Sequence, residues 1–572
     1  MNRFRRLAAG LACACLLFTP AALAQTRKAA PRPKLVVVLV VDQMRADYVD
    51  KFRQQWTRGL RRLVDRGAWF RQAAYPYLNT HTCVGHATVS TGAYPAAHGI
   101  VDNTWWDRET GKVVTCTEDS QAKSISYAAP VQGGESPGRL MMPTFSDELR
   151  AQGGGGTRVV TFSLKARSAI MLAGHRADGV TWHDDRTGAW VTSSFYGASP
   201  FVEAYVKAHP VDADFGKTWA PTLPPRAYLY NESGEGKRPP EGWATEFPHP
   251  LRGLGKPDKP DAAFYRQWEA SPFSDDYLGQ MAQAAVDALK LGKGNGTDFL
   301  GISFSALDLA GHAYGPRSHE IQDILVRLDQ TLGGLFEHLD RAVGLENYVV
   351  AFTSDHGVAP IPEQMVREGL DAGRIDRAGL AARIEKALEA TLGPGKRVTR
   401  ISDGDLYFAP GVYSRVAENP AALQAVREAI RSAPGLLQGI PGDQLRTRPA
   451  TDDPFVRAAA LSYYPDRSGD LALITKPFWI FSYTASDGSP LIGTTHGGAY
   501  AYDQRVPVIL MGAAIQHGEY LAAASPVDIA PTLAFLCGIT LAHTDGRVLA
   551  EALASAAAPR LSSSATASDP RH

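Results

Sequence analysis

The sequence is short of the features that mark nucleic-acid, membrane and thiolate-metal proteins. Neither charge is in excess, since 59 Lys and Arg face 59 Asp and Glu over 572 residues. With no basic block beyond the first few residues, a generic phosphate-backbone binder is excluded. After residue 24 no run reaches the roughly 18 apolar residues that a membrane span needs. Cysteine is scarce, five in all, and no C-x-x-C spacing occurs, which argues against a thiolate zinc site. There is no internal repeat. What is present, 44% hydrophobic and 21% charged residues, excludes wholesale disorder and suits an enzyme of one large elaborated domain or a few smaller ones.

Residues 1–24 read as a signal peptide. Arg3, Arg5 and Arg6 make a basic start, Leu7 to Phe18 an apolar core interrupted soon after by Pro20, and Ala22-Leu23-Ala24 an A-x-A cleavage site. The mature chain is expected in the periplasm or outside the cell, mildly acidic and without a membrane span. Cys13 and Cys15 leave with the signal, and two of the remaining three can pair in an oxidising compartment. Cys83 with Cys116 is the expected pair, because Cys537 ends an apolar run from Leu533 that reads as buried helix. Residues 25–33 form a Pro/Ala/Lys linker, 34–545 the body, and 555–572 an Ala/Ser-rich disordered tail.

The body alternates strands and helices. Residues 34–41 are an unbroken β-branched run, which marks a central parallel strand covered on both faces, and similar runs recur at 158–162, 298–305, 347–353 and 505–511. Between them lie helices, most clearly over 320–339, where Ile321, Leu325, Leu328, Leu332, Leu335 and Leu339 form one apolar stripe. The expected fold is α/β, a mostly parallel central sheet flanked by helices. Residues 176–270, rich in Pro, Gly, Trp and Tyr, read as an inserted cap. Residues 372–450, two helical patterns around a strand from Arg397 to Phe408, read as a small α+β subdomain.

Chemistry-bearing residues cluster after these strands. Asp42 follows the first, Asp308 and His312 the 298–305 run, and Asp355-His356 the 347–353 run; His496 lies farther on in GTTHGG. In open α/β sheets ligands bind beyond the carboxyl ends of strands, and three Asp with three His there suit two divalent zinc ions. Thr82 supplies a hydroxyl. Gly85 permits a tight turn and a helix is expected from His86, so Thr82 stands just before a helix N-terminus, where an anion is favoured. From local sequence alone, capping that helix is the favoured role of Thr82; next to a divalent metal its hydroxyl is a nucleophile.

Seven motifs in order resemble the alkaline phosphatase superfamily, on the side of the bacterial periplasmic enzymes with a threonine nucleophile. They are VDQ at 41–43, HTCVGHATVSTG at 81–92, DNTWWD at 102–107, SLKAR at 163–167, SALDLAGHAYG at 305–315, TSDHG at 353–357 and GTTHGG at 493–498. The resemblance implies that Asp42, Asp355 and His356 bind one zinc, which also contacts Thr82, and that Asp308, His312 and His496 bind the other. It implies substrate contacts from Asn103, Lys165 and Arg167, although Ala166 stands between the two cations where the family resembles K-D-R. It agrees with pairing of Cys83 and Cys116. The implied activity is hydrolysis of small-molecule phosphate monoesters through a phosphothreonine, by a monomer with two zinc ions. The alternative is a phosphodiesterase or nucleotide pyrophosphatase of the same superfamily. A sulfatase is a poor fit, because the Thr82 to His86 stretch lacks the C/S-x-P-x-R pattern, and a cofactor-independent phosphoglycerate or pentose mutase, being cytoplasmic, does not suit an exported chain.

Overall fold

The computed structural model describes residues 32–554, except 233, 448–449, 482 and 486–488. The signal peptide, most of the linker and the 555–572 tail lie outside the described residues. Among those described, no helix is long and apolar enough to cross a membrane.

Ten strands build one central sheet: β1 (Leu35–Val41), β2 (Ala68–Ala73), β3 (Ser124–Ser126), β4 (Val159–Ser163), β5 (Gly179–Asp184), β6 (Ala189–Ser193), β7 (Asp298–Phe304), β8 (Tyr348–Thr353), β9 (Val508–Gly512) and β10 (Gly518–Ala524). Their spatial order is β10-β2-β9-β8-β1-β7-β4-β5-β6-β3. The middle strands, β8-β1-β7-β4-β5, are all parallel. Outside them β9 runs antiparallel to β8 and β2, and β6 antiparallel to β5 and β3. The sheet is therefore mixed, and the 505–511 run is not a parallel strand. Val508 to Met511 are at most 2% exposed, and a strand buried on both faces reads as the same apolar run in either direction.

The pleat of β1 feeds two cores. Leu35, Val37, Leu39 and Val41 pack with α3 (Pro272–Ala288) and α5 (His319–Ala342), while Val36, Val38 and Val40 pack with α6 (Ile529–Cys537) and the Phe145–Gln152 helix. The six stripe residues of α5 are each at most 1% exposed, each such side chain contributing roughly 1.5–3 kcal/mol. Ser318 starts α5 by accepting the Ile321 N–H. A separate four-stranded sheet joins Val398–Ile401, Asp405–Phe408, Leu471–Thr475 and Leu436–Pro441. The Arg397 to Phe408 stretch is thus a hairpin. Residues 176–270 supply β5 and β6 and then cross α5, where Trp219 and Tyr228 both donate to Asp323.

Candidate active site

The register of the parallel strands sets the site. Val41 of β1 lies beside Phe304 of β7, and Val40 beside Thr353 of β8. The residues just past these ends, Asp42, Asp308 on α4 (Ala306–Tyr314) and Asp355, therefore converge, with Lys165 after β4. All three carboxylates are at most 2% exposed. Lys165 Nζ reaches both Asp42 Oδ2 and Asp308 Oδ2 at 2.5 Å.

Two overlapping sets of ligand atoms lie within 4.8 Å, Asp42/Asp355/His356 and Asp308/His356/His496. His312, one turn after Asp308 on α4, puts Nε2 3.3 Å from Asp308 Oδ1. His356 and His496 stack with ring centroids 3.5 Å apart. The tautomers follow from the second nitrogen. His312 Nδ1 donates to Thr494 O, His356 Nδ1 to Gly357 O and His496 Nδ1 to Thr80 O, at 2.9, 2.9 and 2.7 Å. A carbonyl can only accept, so each neutral ring turns an Nε2 lone pair inward, as metal-binding imidazoles do. Burial pushes His356 down to about 4 and His496 well below the ordinary histidine value, keeping both lone pairs free at neutral pH.

The donor set fits divalent cations. Asp42 Oδ1 and Asp355 Oδ2 are buried without a hydrogen bond, and lie 3.4 and 3.5 Å from His356 Nε2. Three acceptors aimed at one another are satisfied together only by a positive charge. Charge says the same: burial, then Asp308 and Asp355, hold the Asp42 carboxyl well above its usual range despite Lys165.

Thr82 is the first residue of α1 (Thr82–Thr91), with His81 as N-cap, so the helix starts four residues before the expected position and Thr82 is not its cap. Gly85 permits this start inside the first turn. A Cβ there would overlap the Asp355 carbonyl, so α1 can lie directly on the ligand loop. Thr82 Oγ1 is 3.4 Å from His356 Nε2. Asn103 Oδ1 accepts the Cys83 N–H at 2.8 Å, which leaves the amide nitrogen as the outward donor. Cys83 and Cys116 are bonded, as expected, while Cys537 is a buried free thiol in α6. Lys165 is the N-cap of α2 (Ala166–Ala173), and Arg167, second residue of that helix, makes no hydrogen bond or ion pair among the described residues.

Two positioning residues carry no signal of their own in the sequence. Gln43, at φ +68°, donates its N–H to Asp355 Oδ1 at 3.1 Å and its side-chain amide to Asp308 Oδ1 at 2.6 Å. A Cβ at Gly311 would overlap Gln43 Oε1. His86, one turn beyond Thr82, donates Nδ1–H to Thr82 O at 2.8 Å, lies 3.3 Å from Asp355 Oδ2, and accepts from Ser303 Oγ at 2.8 Å. The i, i+4 relation to Thr82 would have pointed to His86 had the helix been started at Thr82.

The chain is similar to known proteins along most of its length. The family model for type I phosphodiesterase / nucleotide pyrophosphatase matches residues 36–499. Alkaline phosphatase PafA of Elizabethkingia meningoseptica is 31% identical over 90% of this chain and 93% of its own. Alkaline phosphatase PhoK of Sphingomonas sp is 31% identical over 91% of each. The crystal structure of PafA superposes with a TM-score of 0.80 at 30% identity, covering 92% of this chain and 100% of that one. The chain belongs to the type I phosphodiesterase / nucleotide pyrophosphatase family, and within the alkaline phosphatase superfamily it is a PafA/PhoK-like member.

Proposed function

We propose that the protein is a phosphate monoester hydrolase, an alkaline phosphatase that acts after export, as a monomer, with Thr82 as nucleophile. Asp42, Asp355 and His356 would hold one zinc ion, and Asp308, His312 and His496 a second, the mixed imidazole and carboxylate donors being those zinc takes. Such a pair supplies Lewis acidity and lowers the pKa of a bound hydroxyl. The chain's own groups do the rest. Thr82, at the N-terminus of α1, directs its oxygen at phosphorus and carries the phosphoryl group between attack and hydrolysis. Asn103, its carbonyl oxygen taken by Cys83, offers NH₂ to a non-bridging oxygen. Arg167 offers a planar fork and Lys165 a point charge. Lys165 Nζ reaches Asp42 and Asp308 here; with cations on those carboxylates its ammonium would be free to face the substrate.

The observation that carries the monoester reading is the pair Lys165 and Arg167, two cations beyond the ligand set, one of them without an ion pair among the described residues. A monoester dianion carries more charge on its non-bridging oxygens than a diester, so these cations favour it selectively. The names of PafA and PhoK support the same reading. The family model's name supports the alternative, a phosphodiesterase. Steady-state hydrolysis of phenyl phosphate and its bis-phenyl diester at alkaline pH, with zinc assayed per chain, decides between them. Two zinc ions and a strong monoester preference are expected. A diester preference would keep the site and overturn the substrate class.

A further inference from the structure

Asn103 is held by both halves of one disulfide. Cys83 donates its N–H to Asn103 Oδ1 at 2.8 Å, Cys116 donates its N–H to the Asn103 carbonyl at 3.0 Å, and the two sulfurs are joined. Both cysteines are at most 1% exposed. The circuit is closed: from the second residue of α1, through the Asn103 side chain and backbone, to Cys116, and back through sulfur to α1. It fixes which end of the amide faces outward, because Oδ1 is already taken. It also fixes where that end lies relative to Thr82, which directly precedes Cys83 in the same helix turn.

The segment inside the circuit needs such a hold. Thr104–Asp107 and Lys112–Thr115 form a two-stranded ladder separate from the central sheet, with Lys112, Val113 and Thr115 exposed. A lone hairpin is at best marginally stable. Asp102 Oδ1 accepts the Asn103 N–H at 2.5 Å and lies 3.8 Å from Nε2 of His81, the N-cap of α1, a longer contact that leaves the Asn103 side-chain amide untouched. Besides the disulfide, the hairpin is held by Trp105 and Val114, 2% and 6% exposed, by Arg467 over the Trp105 ring and by Arg108, which donates to Asp466 O and Asp470 Oδ1; none of these contacts touches the Asn103 amide.

We propose that the Cys83–Cys116 disulfide is a positioning device for catalysis: it sets the Asn103 amide against the Thr82 nucleophile, and full turnover requires the bond. The inference rests on the reading of Asn103 as a phosphoryl contact. It also makes catalytic competence depend on the compartment, since such a bond persists only where the surroundings are oxidising.

A double-mutant cycle tests it. Cys83→Ala/Cys116→Ala, Asn103→Ala and their combination are assayed for kcat/KM on phenyl phosphate and for inhibition by inorganic phosphate, with metal content and circular dichroism checked. The cysteine pair is also combined with Lys165→Ala/Arg167→Ala. Loss of the disulfide is expected to lower kcat/KM roughly tenfold or more, with metal content unchanged, because small displacements of a positioned group are costly. That loss should persist without Lys165 and Arg167, and nearly vanish once Asn103 is alanine. An equal loss with and without Asn103, or no loss, overturns the clamp while leaving the Asn103 contact intact. A wild-type rate for Asn103→Ala alone overturns the contact itself, and the proposal with it. Should the double variant not fold, Cys116→Ser, which leaves α1 unaltered, goes through the same cycle.

Discussion

Carboxylates on α5 and at the strand ends are equally buried and differently used. Asp323 and Asp329 of α5 are fully buried, and each of their oxygens has a donor. Asp323 Oδ2 accepts from Trp219 and Arg327, and Oδ1 from the Thr222 N–H and the Tyr228 hydroxyl. Asp329 accepts the N–H groups of Thr57, Arg58 and Arg61. Asp42 and Asp355 are just as buried, yet each leaves one oxygen with no hydrogen bond. The first kind pins the 219–228 and 57–61 segments to α5. The second kind calls for a cation where such oxygens meet, as those of Asp42 and Asp355 do at His356. Asp275 and Asp503 also leave one buried oxygen unbonded, but burial holds each carboxyl above its usual range and neither joins a ligand cluster among the described residues. Unbonded oxygens that converge, rather than burial or residue type, separate site from scaffold.

The largest effect that could break this comparison is at Asp355. Asp355→Asn keeps an oxygen for the Gln43 and His356 N–H groups but removes a charge, and should lower turnover on the order of 10³-fold or more. The chelated protein should melt only slightly lower than wild type, because burial opposes the Asp355 charge while His356 and His86 outweigh it and hold the carboxyl below its usual range. Calorimetry after chelation checks this, and a large loss of stability there would make Asp355 another Asp323. Next comes Lys165→Ala with Arg167→Ala, expected to cost monoester turnover on the order of 10²-fold more than diester turnover. Equal losses measured on the two substrates would remove the selective role of these cations.

Asp323→Ala is the mirror experiment. It leaves Trp219 Nε1, the Thr222 N–H and the Tyr228 hydroxyl without their acceptor, and should destabilise by about 3 kcal/mol. Below the melting transition kcat should stay at the wild-type value. A fall in kcat with unchanged stability, read by urea unfolding alongside the assay, would show that the α5 anchors reach the chemistry.

Much of the carboxylate and imidazole cluster was legible because parallel strands in register bring their carboxyl ends together. Asp42, Asp308 and Asp355 could be placed from strand ends alone, and His312 from its spacing on a helix. The Thr82 helix was misread at its start, because what lets Gly85 sit inside the first turn is a contact with Asp355, some 270 residues away in sequence. His86 was missed for the same reason. Gln43 stands in plain view in the VDQ motif, but its role depends on a positive φ and on the absent side chain of Gly311. The direction of β9 was unreadable because its residues are buried on both faces. Where a signal is local and periodic the sequence reports it, and where it depends on a partner far along the chain it does not.

The smallest expected effect concerns a carboxylate between the two kinds, Asp147 beside His175. Asp147 closes the capping box of the Phe145–Gln152 helix with Thr144, and His175 Nδ1 lies 2.9 Å from Asp147 Oδ2. The Asp147 hydrogen bond, outweighing burial, holds His175 above its ordinary pKa. The folded protein therefore keeps this proton more tightly than the unfolded chain. The contribution is complete below the unfolded value of about 6.5 and is lost as pH rises through the raised folded value. Asp147 is held low, burial being outweighed by His175 and the Thr144 N–H, so its share is present above the ordinary carboxylate range and is lost only as pH falls through its folded value. With the His175 side chain 35% exposed, solvent screening limits the pair to about 0.5–1 kcal/mol. His175→Ala should thus cost that much at pH 5.5 and clearly less at pH 9, read from urea midpoints across the range. A cost constant with pH would mean that His175 acts by packing, and that Asp147 is satisfied by its cap alone.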